Sequence, residues 1–244
     1  MRSCIRIYSF VLTCFLLLSA GAGSYTAASP FQGKPAQEKW AADVDFLVEK
    51  LPELHKNLFF KISQEEFNSM ASQFKQRLPE LNEDEFQVGL SRIVASVGDS
   101  HTSLRLRFTH AFPLMLYWFK EGIYIINKLP EYREILYGRI IKIHHQPIEE
   151  VINAYKEIIP YENEAQLKNI IPMIMASAEH LHGLNITQDK DTMELTVENE
   201  QGKTVTVEMK AIPFVGAFKG IVDMSYSDDD PLYRKNRVQF YWFE

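Results

Sequence analysis

The chain has 244 residues, 46% hydrophobic and 24% charged, the proportions of a globular protein rather than a collagen-like, low-complexity or wholly disordered one. That length suits one domain, or two small ones if the apolar positions separate into two clusters. Its 26 basic side chains are outnumbered by 32 acidic ones, with no basic run to offset the balance locally, which argues against a dedicated nucleic-acid binder.

Residues 1–22 read as a secretory signal. Arg2 and Arg6 form a positive n-region, Ile7 to Leu18 is an uncharged apolar run, and Ala20-Gly21-Ala22 offers a cleavage site, with Thr26-Ala27-Ala28 as a second choice. The run is shorter than the ~20 residues that span a bilayer, so a retained anchor is the weaker reading. Export to the periplasm, cell envelope or medium is expected, with no membrane association after cleavage. Cys4 and Cys14 both lie in the segment removed, so a mature chain without disulfides or Cys-ligated metal is expected.

Residues 23–37, rich in Ala, Ser, Gly and Pro, read as a disordered lead-in. Trp40, Val44, Leu47, Val48, Leu51, Leu54 and Leu58 recur at helical spacing, and Pro52 within that pattern predicts a kink or restart near Leu51. A second helix opens with a capping box at Ser63-Gln64-Glu65-Glu66 and carries Phe67, Met70, Ala71 and Phe74. A third opens in the same way at Asn82 with Glu85, carries Phe86, Leu90, Ile93, Val94 and Val97, and stops at Gly98. These make a helical lobe over residues 38–110.

After Gly98 the pattern alternates: Leu104, Leu106 and Phe108 are apolar while Arg105 and Arg107 face the other way, which predicts a strand. Further strands are expected at Leu114 to Phe119, Gly122 to Asn127 and Arg139 to His144, and helices at about Ile148 to Ile158 and Glu164 to His180. A hairpin of Met193 to Glu198 and Thr204 to Met209 is closed by Asn199-Glu200-Gln201-Gly202. Residues 111–215 thus form a mixed lobe. In residues 216–244 an acidic loop, Tyr226 to Pro231, precedes Val238-Gln239-Phe240-Tyr241-Trp242-Phe243, a strand-forming run whose apolar edge needs a neighbour. It is expected either to pair with the mixed lobe or, preferably, to start a further core.

Gly98-Asp99-Ser100-His101-Thr102, set between an amphipathic helix and an alternating segment, resembles the tail-specific, or C-terminal-processing, serine peptidases, particularly their tricorn-like branch. The Trp40, Asp43, Leu47 and His55 pattern is similar to that family's helical lobe, and Phe112-Pro113 follows at a similar distance. Gly122-Ile123-Tyr124-Ile125 and Gly138-Arg139-Ile140-Ile141-Lys142-Ile143, with Pro147-Ile148, resemble its circularly permuted PDZ-like module, and Tyr233 to Glu244 resembles the first strand of its catalytic core. One departure is His145-Gln146, where the PDZ-like turn usually has Asn-Gly.

The resemblance implies an α+β fold: an N-terminal helical lobe followed by a PDZ-like mixed α/β lobe and an incomplete first strand of a further core. It implies a serine-type endopeptidase in which His101 is the general base and Ser100 an orienting or oxyanion-binding hydroxyl. The nucleophilic serine and its helpers would come from polypeptide beyond Glu244, so the chain by itself is expected not to hydrolyse peptides. Peptides or the C-termini of unfolded polypeptides are the implied partners, added as a strand beside Gly122, Ile123, Tyr124 and Ile125. No cofactor and no metal are expected.

Plainer readings stand beside these. His101 is a polar loop residue, with Asp99 and Ser100 capping the helix before it, and Ile123 and Ile125 are core positions. Ser177 lies mid-helix, without the sharp turn that exposes a nucleophile. Neither His144-His145 nor His180 and His182 have metal-site spacing. The rival function is a non-catalytic peptide-binding or adaptor module of the cell envelope.

Overall fold

Among the described residues three helices come first: α1 (Ala36–Leu54), α2 (Gln64–Arg77) and α3 (Glu83–Ala95). The computed structural model describes residues 36–217 and Lys219; the signal, most of the lead-in, the acidic loop at 226–231 and the aromatic run at 238–243 lie outside the described residues. Contacts divide the chain between Lys39 and Trp40, and both apolar clusters and the whole sheet belong to the unit that starts at Trp40.

Helix α1 already includes Ala36 and Gln37, which composition assigns to the lead-in. Pro52 does not break it at Leu51: the proline gives up one bond to a carbonyl a turn back, yet the helix runs on to Leu54 and the His55 N–H still donates to the Leu51 carbonyl (2.9 Å). A separate 3-10 turn, Leu58–Phe60, follows. Because the helix ends between them, Leu58 is buried while Leu54 is 81% exposed, off the face its spacing predicts.

Both expected capping boxes form. Ser63 Oγ accepts from the Glu66 N–H (3.1 Å) while Glu66 Oε2 accepts from the Ser63 N–H (3.0 Å), and Asn82 and Glu85 exchange the same pair of bonds at 3.0 and 2.9 Å. Val44, Phe67, Ala71, Phe86, Ile93 and Val97 close a first apolar cluster. Its edge is a stack of three rings: Trp40 lies 4.7 Å from Phe86, and Phe86 lies 5.9 Å from Phe74, both nearly parallel. Such pairs contribute about 0.5–1.5 kcal/mol beyond their buried area.

The alternating segment after Gly98 is not a strand. Residues 103–109 have no regular secondary structure, and two of their backbone donors go to side chains instead. The Arg107 N–H donates to Gln87 Oε1 (3.1 Å) and the Thr109 N–H to Glu179 Oε1 (2.9 Å). Alternation reports which side is covered, not which groups the backbone bonds.

The sheet lobe consists of β1 (His110–Ala111), β2 (Leu114–Phe119), β3 (Gly122–Lys128), β4 (Arg139–Ile143), β5 (Gln146–Pro147), β6 (Thr192–Glu198), β7 (Thr204–Lys210) and β8 (Ile212–Pro213), with helices α4 (Ile148–Lys156), α5 (Glu164–Ile174) and α6 (Ala178–Gly183). The main sheet is antiparallel in the order β2-β3-β4-β6-β7, with β5 folded back on β4, and β1 pairs with β8. Ile123, Ile125, Ile143 and Leu195 of the sheet pack with Tyr155 and Ile171 of the helices in a second apolar cluster. The chain is therefore α+β, a helical N-terminal part followed by an antiparallel sheet lobe.

The long helix expected from Glu164 to His180 is two helices. Ser177 is the N-cap of α6: its backbone is extended, its Oγ accepts from the His180 N–H (3.3 Å), and it bridges to Ala111. It is 3% exposed, so it is neither mid-helix nor an accessible nucleophile. The β4–β5 turn places His144 at φ +50, the conformation that the usual Asn-Gly would adopt without strain.

Helix α3 joins the two clusters. Its Val88 belongs to the second one, its buried Asp84 meets His182 Nδ1 (2.7 Å) and Lys190 Nζ (3.3 Å), and its Ser91 Oγ donates to the Ile158 carbonyl (3.3 Å).

Candidate active-site loop

The loop 98–102 starts where α3 runs out. The Val97 and Gly98 N–H groups still reach back to the Val94 and Ala95 carbonyls (3.2 and 2.9 Å), and Gly98 then turns left-handed at φ +71. A side chain at Gly98 would be strained and would strike Lys61, whose Cδ lies 2.6 Å from the Cβ position. Lys61 Nζ instead donates to the Gly98 carbonyl (2.7 Å), which fixes the turn.

The turn folds the Asp99 carboxylate into the centre of the loop. Oδ1 accepts from the His101 N–H (3.0 Å), and Oδ2 accepts from the Thr102 hydroxyl (2.8 Å) and meets His55 Nε2 (2.9 Å). The Asn57 N–H donates to His55 Nδ1 (3.1 Å), so the network assigns the His55 proton to Nε2, facing Asp99. The His101 N–H, His55 and Thr102 together hold the Asp99 carboxyl well below the usual carboxylate range. It stays ionised across the physiological pH range.

His101 is 89% exposed, and its Nδ1 lies 3.3 Å from Asp99 Oδ1. A carboxylate on that side favours the tautomer with the proton on Nδ1, which leaves Nε2 facing outward as a proton acceptor. Ser100 does something different from what the motif implies. Its Oγ donates to Glu162 Oε1 (3.0 Å), from the segment before α5, and reaches His101 Nδ1 only at 3.5 Å. The group beside the imidazole nitrogen is Asp99, which sequence reasoning treats as a helix cap. Its partner His55 is 44 positions away, so no local signal reveals that contact.

Asp99, His101 and Glu162 also offer ligand atoms within 4.8 Å of one another. The Asp99 oxygens among them are taken up by the hydrogen bonds to His55, His101 and Thr102.

Gly122, Ile123, Tyr124 and Ile125 do not form a peptide-accepting edge. They lie on β3, which pairs along its length with β2, Gly122 opposite Phe119 and Tyr124 opposite Tyr117. On the other flank Tyr124 is opposite Arg139, and Ile125 exchanges bonds with Gly138 and Tyr137 (3.0 and 2.9 Å). Ile123 and Ile125 are core residues. Among the described residues the main sheet ends at β2 and β7, and an added strand needs one of those edges.

Helix α6 supplies groups the motif does not contain. Its Glu179 carboxylate accepts from the Thr109 N–H and hydroxyl (2.9 and 2.7 Å) and from the His110 N–H (3.2 Å). Burial pushes this carboxyl up, but the Thr109 hydroxyl and the surrounding backbone N–H groups outweigh it and hold the carboxyl below its ordinary value.

No known family profile matches the chain, and no curated protein matches it. Among solved structures, the chain shares its fold with part of each of three matched structures. These include structures of CPAF, a chlamydial serine protease. Mature CPAF superposes with a TM-score of 0.53 at 17% identity, over 81% of this chain and 39% of that one. CPAF complexed with lactacystin gives 0.53 at 16%, over 72% and 35%, and a serine-to-alanine mutant of CPAF gives 0.51 at 16%, over 84% and 38%. The chain spans little more than a third of the length of the CPAF chains it matches.

Proposed function

We propose that this chain is the helical and PDZ-like part of an exported serine peptidase of the tail-specific type, in its tricorn-like branch, with His101 as general base and Asp99 as the residue that orients it. The observation that carries this is the exposed imidazole on the loop after α3, with an ionised carboxylate at its Nδ1, on a tail-specific-protease-like fold. In that role Nε2 takes the proton of a serine hydroxyl as the oxygen attacks a peptide carbonyl and returns it to the leaving amine. The serine belongs to a catalytic core outside the two lobes, and the lobes alone bind peptide without cleaving it. Ser100 anchors Glu162 at the rim of the loop.

Peptide enters as an added strand on β2. Met115, Tyr117 and Phe119 of that strand are exposed, and among the described residues its only ladder partner is β3. The same open edge favours a second reading, a peptide-binding module that performs no proteolysis.

The test uses the 244-residue chain and the natural polypeptide that carries it, each incubated with an unstructured protein substrate and a fluorophosphonate. Hydrolysis and serine labelling by the natural polypeptide, with hydrolysis lost in His101→Ala, are expected, together with peptide binding but no labelling by the isolated chain. Covalent labelling of a serine in the isolated chain, or full hydrolysis by His101→Ala, would overturn the proposal. Absence of hydrolysis throughout, with peptide binding kept, would select the second reading.

A further inference from the structure

Of the groups that meet the Asp99 carboxylate, all but one belong to the loop that carries it. The His101 N–H, His101 Nδ1 and the Thr102 hydroxyl travel with Asp99. Among the described residues only His55 Nε2, 2.9 Å from Oδ2, reaches in from outside, from the turn that follows α1. Lys61 also ties the loop to the helical part, but at the Gly98 carbonyl and not at the carboxylate.

His55 is itself held on both sides. Its N–H donates to the Leu51 carbonyl (2.9 Å), which extends the bonding pattern of α1 to this residue. Its Nδ1 accepts from the Asn57 N–H (3.1 Å). A ring nitrogen that accepts does not also carry the proton, so the proton sits on Nε2 and points at Asp99. The side chain is 18% exposed, so water competes poorly for that bond. After the His101 N–H, the His55 ring does most to hold the Asp99 carboxyl below the usual carboxylate range.

The nature of this donor matters for what lies across the carboxylate. Oδ1 lies 3.3 Å from His101 Nδ1, the longest of the carboxylate's contacts and the first to lengthen if it turns. Two donors on Oδ2, one from inside the loop and one from the helical part, fix the carboxylate plane and so aim Oδ1 at the imidazole. A lysine or arginine at position 55 would hold the carboxylate as firmly but would neutralise it in an ion pair. An uncharged imidazole donor leaves the negative charge to act on His101, favouring its Nδ1–H tautomer and, when Nε2 takes a proton, the imidazolium.

We propose that His55 is a positioning residue: from the end of α1 its Nε2–H fixes the Asp99 carboxylate, and through that carboxylate it sets which nitrogen of His101 carries the proton. That the choice of nitrogen serves catalysis rests on the peptidase reading. The coupling of the two rings does not.

The experiment records the ring nitrogen signals of the isotope-labelled 244-residue chain by NMR at about pH 8.5, where an ordinary imidazole is uncharged. His55 is expected as the Nε2–H form and His101 mainly as the Nδ1–H form. In His55→Phe the ratio of Nδ1–H to Nε2–H at His101 should fall by roughly two- to tenfold, the equivalent of one net hydrogen bond. His55→Gln, whose side-chain amide donates from about the same place, should restore most of it. A purely space-filling role for the ring predicts no change in His55→Phe. In the natural polypeptide His55→Phe should lower kcat about tenfold with KM little changed, a part of the roughly 10²–10⁴-fold that a positioned base contributes, and His55→Gln should recover it. A His55 proton on Nδ1 in the unmodified chain, or His101 mainly Nε2–H there, overturns the proposal whatever the variants do. So does an unchanged His101 ratio in folded His55→Phe. Coupled rings without any hydrolysis by the natural polypeptide would refute the peptidase reading alone. Hydrolysis lost in His101→Ala but intact in His55→Phe, with the tautomers unmoved, would refute the role of His55 alone.

Discussion

Helix α6 holds His180 and Glu179 in place, and its seat against α3 depends on Gly183. A Cβ built on Gly183 would lie 2.5 Å from the Asp84 carbonyl oxygen, 2.8 Å from its carbon and 2.7 Å from Val88 Cγ2. Two of those atoms are backbone and cannot swing aside, so Gly183→Ala has to push α6 away from α3 by nearly an ångström. That movement stretches the 2.7 Å His182–Asp84 bond and opens the packing around the fully buried Ala178 and Leu181. Overpacking of this kind costs about 1–3 kcal/mol, against a gain of about 0.5–1 kcal/mol from replacing a helical glycine by alanine. A net loss of about 1–2 kcal/mol corresponds to a fall in Tm of roughly 2–8 °C for a domain of this size. Gly202→Ala is the control: it has φ +72 but nothing within 4 Å of the new methyl, so it reports backbone strain without a clash. Thermal unfolding followed by circular dichroism measures both. A Gly183→Ala protein as stable as the parent would refute the account of how α6 is seated.

Three further outcomes are expected. Glu179 has a folded-state value below its ordinary 4.5, so its contribution to stability is present above that pH and lost as pH falls through the folded value. The stability gap between the parent and Glu179→Gln should therefore shrink as urea titrations move from neutral pH into the acid range; a constant gap would be inconsistent with the assignment. Asp99→Ala removes the acceptor shared by the His101 N–H, the Thr102 hydroxyl and His55. Hydrogen exchange at the His101 amide should quicken by roughly tenfold or more, and Asp99→Asn, which keeps an acceptor, should quicken it less. Protein secreted by a bacterial host and sequenced from its N-terminus should begin at Gly23, or after Ala28; retention of Met1 would refute the reading of residues 1–22 as a signal.

The features legible in the sequence are the ones closed within a few residues. Ser63 with Glu66 and Asn82 with Glu85 complete their bonds inside one turn, and Asn199 to Gly202 close a hairpin whose strands pair from Thr192 with Lys210 to Glu198 with Thr204. Misreadings arise where the partner is distant. Leu104 to Phe108 alternate as a strand would, yet the donors of Arg107 and Thr109 go to Gln87 and Glu179. Gly122 to Ile125 have the residues of a peptide-binding edge, but the return of Tyr137 and Gly138 beside Ile125 covers that flank. The apolar spacing of Leu167, Ile171 and Met175 hides the cap at Ser177, although a serine in that position is itself a local signal. Within the candidate site, the positions of Ser100 and His101 follow from the motif. The pairing of Asp99 with His55, and of Ser100 with Glu162, needs the fold.

Helix α3 has one flank in each hydrophobic interior, and the loop bearing Asp99 and His101 hangs from its end. Its 13 residues make a rod about 20 Å long, so pivoting it by about 5° at the Asp84 end would carry the other end through about 2 Å. A load on the sheet lobe therefore has leverage over where the His101 loop sits.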